Sequence, residues 1–494
     1  MKSPSILRPF LVPLFIAAGL QPLAAVSVWK NSGTTDWFTD SNWFGGIPTT
    51  SNSETQMVNG TIAISRTDMG QALSNSIWLG GNGPGSAGTA SLSITNGASL
   101  ATVNGYIGVN NGSNATLNVS GTGSSLTASS QLYLGMSNGS GTVAMNISQG
   151  ASVTVSGYLF VGYNATGNAS VNVSGTGSIL QANGGINSLG YLGGTGTMTI
   201  SDGATVKLGS SGNGGLGFGN SNGTGILNIG TGGAAGTLIA YQVSSSSTTT
   251  GKINFNHNES AYTFSPFIYG NIAVEQKGSG TTTLTAANTY TGGTIVSAGK
   301  LVANNSTGSA TGTGTVLAQA NTTLAGNGTI SGAVTMLGTF APGNSVGKLN
   351  TGSLTIGATG TYAWEMNNAS GTAGTTAGGW DLANITGTLT FQPGATLDII
   401  SLTTDNVSGQ ASNFNPLNSY LWTIATTTGG VNGVENVTLD TSAFQNTASG
   451  DFSLVVSGNN LQLSYSVAAV PEPSTILAFF GGTLALISRR KRQP

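Results

Sequence analysis

Between Leu92 and Ile229 one short alternation of apolar and polar positions comes round six times. The pairs Leu92/Ile94, Leu117/Val119, Met145/Ile147, Val171/Val173, Met198/Ile200 and Leu227/Ile229 follow one another at 25, 28, 26, 27 and 29 residues. A polar residue between the members of a pair, as in Leu92-Ser93-Ile94 or Val171-Asn172-Val173, gives the period of a half-buried strand. A second element follows each of the first five pairs: Gly97-Ala98-Ser99-Leu100, and its counterparts ending at Leu126, Val153, Leu180 and Val206. A third closes the unit: Tyr106-Ile107-Gly108, Tyr133-Leu134-Gly135, Phe160-Val161-Gly162 and Tyr191-Leu192-Gly193. Variants stand before and after it as Trp78-Leu79-Gly80 and Gly217-Phe218-Gly219. Three short strands joined by Gly, Asn and Ser turns make one coil of a β-solenoid, an all-β architecture in which no unit buries its apolar face alone. Coils stacked ~4.8 Å apart align like residues in ladders. Leu92, Leu117, Met145, Val171, Met198 and Leu227 are expected in one inward ladder. Tyr106, Tyr133, Phe160 and Tyr191 are expected in another row, with Ile107, Leu134, Val161 and Leu192 on the opposite face.

The two ends follow other rules. Lys2 and Arg8 precede an apolar run, and Leu23-Ala24-Ala25 offers a small-residue cleavage site, so residues 1–25 read as a secretory signal helix. At the other end Pro471-Glu472-Pro473 precedes an apolar stretch, 475–488, and then Arg489, Arg490, Lys491 and Arg492. That stretch is short for a transmembrane helix, but the four cations form a membrane stop that stays cytoplasmic. This three-part tail, over 468–494, resembles the PEP-CTERM sorting signal. The resemblance implies an exosortase-type membrane protease as partner, acting at Pro471, Glu472 and Pro473, with the inner membrane holding the C-terminal helix.

Between the ends, residues 26–75 carry Trp29, Trp37 and Trp43 and read as an N-terminal cap; a sugar-binding platform is the other use of such a cluster. The repeats fill 76–240, and 241–275 reads as a less regular insert. Residues 276–304, with Gly278-Ser279-Gly280-Thr281-Thr282-Thr283-Leu284-Thr285, Asn288-Thr289-Tyr290-Thr291-Gly292-Gly293-Thr294 and Gly299-Lys300-Leu301-Val302, resemble the autotransporter-associated β-strand repeat of secreted passenger domains. A right-handed parallel β-helix is the fold that this resemblance implies. Phe340-Ala341-Pro342-Gly343-Asn344-Ser345 and Trp380-Asp381-Leu382 look like later coils of such proteins. The repeat and its following coils are assigned to 276–360, and terminal coils with a cap to 361–467. Too few residues follow Thr361 for a membrane β-barrel.

Composition narrows the chemistry. The chain has 494 residues, 78 Gly, no Cys and 6% charged residues, yet 38% are hydrophobic and periodic, which favours order over a low-complexity tail. Without its two terminal segments the body keeps 7 basic and 14 acidic residues, a net charge of about −7, so nucleic acid is not expected as a partner. Between Gly88 and Gly251 the charged residues are Asp202 and Lys207 alone. A polysaccharide lyase or hydrolase needs carboxylates in pairs or beside a cation; Asp36 and Asp40 are the nearest approach, and they read as turn and capping groups. The lone His257 builds no histidine-based metal site. No cofactor and no catalysis are expected. The sequence thus describes an exported β-solenoid, membrane-anchored or exosortase-processed, with a structural or adhesive role at the cell surface or in the extracellular matrix. A carbohydrate-binding or polysaccharide-degrading β-helix is the alternative, with extracellular polysaccharide as its candidate partner.

Overall fold

The computed structural model describes residues 26–467, apart from 32, 52–53, 82–86, 137–140, 211, 221 and 247–249. The signal segment and the sorting tail lie outside the described residues. Within them the protein is all-β; its helical pieces are two single 3₁₀ turns, Asp40–Asn42 and Val434–Asn436. The chain divides into two compact units, one ending at Gly251 and one beginning at Lys252.

In the first unit the repeated turns of the chain each give one strand to each of three sheets, parallel throughout except where Val26–Trp29 meets Trp43–Phe44 antiparallel. One such turn is Leu132–Leu134, Thr142–Ser148 and Ser152–Val155; the next is Leu159–Val161, Asn168–Ser174 and Ile179–Ala182. Each strand pairs with its equivalent one coil on, the strand order of a β-solenoid. In the second sheet the register runs Ile62, Leu92, Leu117, Met145, Val171, Met198, Leu227 without a slip. All seven side chains are fully buried, as expected for six of them. Leu100, Leu126, Val153, Leu180 and Val206 form the matching inward row of the third sheet.

The corners between the second and third sheets explain why the glycines recur. Asn96-Gly97, Gln149-Gly150 and Asp202-Gly203 each hold two successive residues at positive φ, near 57° and 78°, a conformation glycine adopts at little steric cost. At the corner after the first sheet, Gly108, Gly135 and Gly162 all sit near φ +70°. A Cβ on Gly162 would lie 2.2 Å from the Thr195 carbonyl oxygen of the next coil. Close coil stacking and positive φ thus demand glycine there for two separate reasons.

The aromatic row departs from expectation at one place. Tyr106, Tyr133 and Phe160 are in register, and their neighbours Ile107, Leu134 and Val161 point inward. On the next coil, however, Phe160 pairs with Ser188 and Val161 with Leu189. Leu189 fills the inward position, while Leu192 is an exposed turn residue at φ +49°. The Tyr-Leu-Gly triplet at 191–193 therefore lies three residues past its counterparts. Local similarity had outweighed the inward-facing requirement, which Ile186–Tyr191 meets with a different triplet. One coil further, Phe218 turns inward opposite Leu189.

The stretch 241–275, expected to be less regular, holds the strands Gln242–Ser245, Thr250–Phe255, Tyr262–Phe264 and Phe267–Gly270. In the second unit Thr281–Leu284, Lys300–Ala303, Thr323–Gly326 and Thr339–Pro342 pair in parallel in one sheet. Val316–Ala318, Val334–Met336, Leu354–Ile356 and Leu389–Phe391 do so in another. Near its end the pattern changes: Asn460–Ser466 pairs antiparallel with both Tyr420–Thr427 and Asp451–Ser457.

Val171 tests the inward direction. Val171→Asp would bury a carboxylate with no cation beside it and should cost at least ~3 kcal/mol; Ser170→Asp, on the outward face of the same strand, should cost less than ~1 kcal/mol. Urea unfolding followed by circular dichroism measures both.

Candidate functional site

Outward residues of the first unit repeat as regularly as inward ones. On the second sheet Asn118, Asn146 and Asn172 stand in register. Asn146 Nδ2 donates to Asn118 Oδ1, and Asn172 Nδ2 to Asn146 Oδ1, both at 2.9 Å. Asn suits this position because its amide is both donor and acceptor and can chain one coil to the next. Thr199 and Asn228 continue the row, with Asn228 Nδ2 3.2 Å from Thr199 Oγ1. Ser120, Ser148, Ser174 and Ser201 align beside it. Toward the N-terminal end, Asn59, Thr61, Thr89, Ser91, Asn114 and Thr116 line an open groove of about 540 Å³. Hydroxyl and amide groups on an uncharged face offer many hydrogen-bond donors and acceptors side by side.

The first sheet presents aromatic rings. Trp78 and Tyr106 lie 4.5 Å apart between centroids, Tyr106 and Tyr133 5.4 Å, and Tyr133 and Phe160 5.0 Å, the last two pairs stacked with planes nearly parallel at 11° and 9°. Where the row would continue at Ser188 it moves into the turn. There Tyr163 and Tyr191 stack at 5.1 Å, and Tyr163 also meets Tyr133 and Phe160 edge to face. All these rings are half-buried, and burial raises the phenol pKa of Tyr106 and Tyr133. In the middle of the row the ring faces cover one another and their edges meet solvent. The row is thus first a stacking device between coils, with the offset geometry that aromatic pairs prefer. It offers a sugar few open faces.

Asp36 lies 3.8 Å from Arg66, and Asp40 Oδ1 accepts the Ile47 N–H at 3.3 Å. Trp29, Trp37 and Trp43 are buried and pack edge to face, Trp43 against both others at 4.8 and 5.0 Å. That arrangement leaves no ring face for a sugar. Asp202 occupies a turn, where Ser201 Oγ donates to its Oδ2. Among the described residues no group of three or more His, Asp or Glu could hold a metal ion.

His257 is buried and fully used. Its Nδ1 accepts the Glu259 N–H at 3.2 Å, so Nε2 carries the proton and donates to Thr282 Oγ1 at 2.9 Å. Thr282 in turn donates to Gln276 Oε1 at 2.6 Å. Gln276 Nε2 then donates to the Gly278 and Gly280 carbonyls. Burial lowers the His257 pKa, in keeping with a neutral ring. This internal chain holds the turn at 276–282. One member was legible, since Gln276 falls in phase with buried Ile272 and Val274. A polar side chain at an inward position needs a partner inside.

A second buried staple, missed from sequence, is Asp381. Its Oδ1 accepts the Gly347 N–H at 2.8 Å and its Oδ2 the Glu365 N–H at 3.0 Å. Its carbonyl accepts from Trp364 Nε1. One side chain thus ties the strand Thr361–Met366 to the turn before Lys348–Thr351. Asp381 falls in phase with buried Gly379, Ala383 and Ile385, the same signal as at Gln276, but the alternation does not name its partners.

The described chain is an all-β protein of stacked parallel strands whose repeated outward rows carry amides, hydroxyls and rings rather than charge. Residues 274–303 match the family model of the passenger-associated transport repeat, and residues 469–493 match that of the PEP-CTERM protein-sorting motif. The first match falls on the coil that His257 and Gln276 brace. The second covers Pro471, Glu472, Pro473, Arg489, Arg490, Lys491 and Arg492, all outside the described residues. It implies an exported surface protein processed by an exosortase, and both families point to a structural surface protein rather than an enzyme. No curated protein matches the chain. Among the described residues no helix is long and apolar enough to cross a membrane.

Burial, and then the nearby Glu365 carboxylate, push the Asp381 carboxyl well above its ordinary value of 3.8. A carboxyl raised on folding contributes stability that is full below pH 3.8 and is lost as pH rises toward its folded value. Glu365 is raised too, whereas Glu275 and Asp440 are lowered and act in the opposite sense. Replacing Asp381 by Asn should therefore flatten the decline of stability as pH rises above the ordinary carboxyl value of 3.8, relative to wild type. Urea midpoints across that range would show it; parallel profiles for the two proteins would contradict it.

Proposed function

We propose that this protein is a cell-surface or extracellular-matrix scaffold whose uncharged outward rows give it an adhesive or structural role. The observation that carries the reading is the coil-by-coil repetition of Asn, Ser and Thr on the second sheet. A catalytic site needs a few different groups brought to one point. A surface that repeats one group along its length instead suits many weak contacts with an extended or crystalline partner, where multivalency supplies the affinity.

Several finer points belong to this reading. The coils wind right-handed, as connections between parallel strands of one sheet almost always do. Residues 1–25 form a signal helix removed on export, and 475–488 cross the inner membrane. Arg489, Arg490, Lys491 and Arg492 stop the tail on the cytoplasmic side, since four cations do not readily enter hydrocarbon. Pro471 and Pro473 keep the preceding segment out of a helix interior, where an exosortase reaches Pro471-Glu472-Pro473. The assigned segments (cap 26–75, repeats 76–240, 241–275, 276–360, 361–467 and signal 468–494) serve this arrangement. Carbohydrate binding is the second reading. The groove lined by Asn59, Thr89 and Asn114 favours it, and extracellular polysaccharide is its ligand.

Cells displaying the full chain should adhere to polysaccharide-coated and mineral surfaces. Replacing Asn118, Asn146 and Asn172 together by Asp should lower adhesion several-fold at unchanged surface level. Adhesion to neither surface would refute the role. Loss on polysaccharide alone, restored on no other surface, would favour the carbohydrate reading. Processing is tested separately by intact mass. The mature protein should lack everything beyond about Ser474, and Pro471→Ala with Pro473→Ala should leave a C-terminus that still carries Arg492.

A further inference from the structure

The strand Asp451–Ser457 ends the six-stranded sheet of the second unit, paired on one side with Asn460–Ser466. Among the described residues no strand pairs with its other side. Seven consecutive residues keep register there without a bulge. Exposed edges of such length are normally blocked by Lys, Pro or a bulge. Apart from Asp451 at its start, the strand carries no charge, and Phe452-Ser453-Leu454-Val455-Val456-Ser457 has no Lys, Pro, Gly or bulge. The other terminal strands nearby, Val431–Asn432 and Thr438–Asp440, are two and three residues long. The core also stops short at this edge. Val456 pairs with fully buried Leu461 yet remains 45% exposed, while Phe452 and Leu454 are half-buried on the same face.

We infer that this edge pairs with the same edge of a second copy, antiparallel and centred on Leu454. The sequence selects that occupant. Read in either direction, its core-side row is large apolar, Leu, large apolar, so a two-fold pairing sets Phe452 against Val456 of the second copy and Leu454 against its own equivalent. Asp451 then faces Ser457, and the two Asp451 carboxylates stand about 20 Å apart, beyond the ~10 Å screening length at 0.1 M salt. A parallel pairing would place them side by side. The dimer would complete seven residues of open backbone edge and cover Val456, by the strand addition that sheet edges commonly support.

The register makes the test specific. Ser453 and Val455 point to the outer face, away from Leu461 and Leu463, so changing them leaves the core intact. In the proposed pairing Ser453 of each copy lies opposite Val455 of the other. Ser453→Lys with Val455→Lys opposes like charges twice and should weaken self-association about tenfold or more. Ser453→Lys with Val455→Glu places opposite charges together and should restore it. The full chain purified in mild detergent, sedimented at micromolar concentration, reads this out. Because the chain has no cysteine, Leu454→Cys should form a disulfide dimer on mild oxidation and Asp451→Cys should not. A monomeric wild type would overturn the inference. So would a dimer indifferent to the Lys pair, failed restoration by Glu, equal cross-linking at 451 and 454, or another polypeptide on the edge.

Discussion

Everything in the first unit depends on one constraint: the backbone of each coil is hydrogen-bonded to the backbone of the next in exact parallel register. Six consecutive equivalents of Leu92 hold their place because slipping by one residue would turn the whole apolar row out to solvent. The same constraint arranges the surface. Once Val171 sits above Met145, Asn172 sits above Asn146, and an amide row follows without further cause. Surface chemistry here is a by-product of core register, which is why it repeats instead of converging on a point.

What could be read from the sequence follows the same division. The inward rows were legible because burial imposes a strict alternation, and every coil repeats it. The aromatic row was legible for three coils and failed at Tyr191. The triplet Tyr191-Leu192-Gly193 matches its counterparts by identity, but Leu189, not Leu192, is the residue the core needs. Similarity along the chain is a weaker guide than the count of residues between corners. Gln276 was detectable as a polar residue at an inward position. Asp381 carries the same signal, in phase with buried Gly379, Ala383 and Ile385, but its partners, the Gly347 and Glu365 amides, lie 34 and 16 residues away and could not be named from it.

The two units differ in how much polarity they bury. The described repeats of the first keep most inward positions apolar and turn the Asn118 row out, with Asn187 a fully buried exception held by backbone. The second brings His257, Gln276, Asn288 and Asp381 inside and satisfies them against backbone, with Thr282 Oγ1 as a further partner of His257. Each such group limits its coil to one arrangement, since an unmet buried donor or acceptor costs ~1–3 kcal/mol. Uniform coils tolerate exchange of one apolar residue for another; braced coils do not. The match to the passenger-associated transport repeat falls on a braced coil, where a recognisable sequence has the most reason to persist.

The glycine corners carry one more consequence. Gly108, Gly135 and Gly162 adopt nearly the same φ, so successive coils of this unit are close to interchangeable at their joints. A duplication or loss of one whole repeat in the coding DNA would splice one such corner to another and change the stack by a single strand spacing, ~4.8 Å. A change by part of a repeat would throw every later row out of phase. Length is therefore a property that unequal recombination can adjust in small steps, while leaving the character of each face as it was.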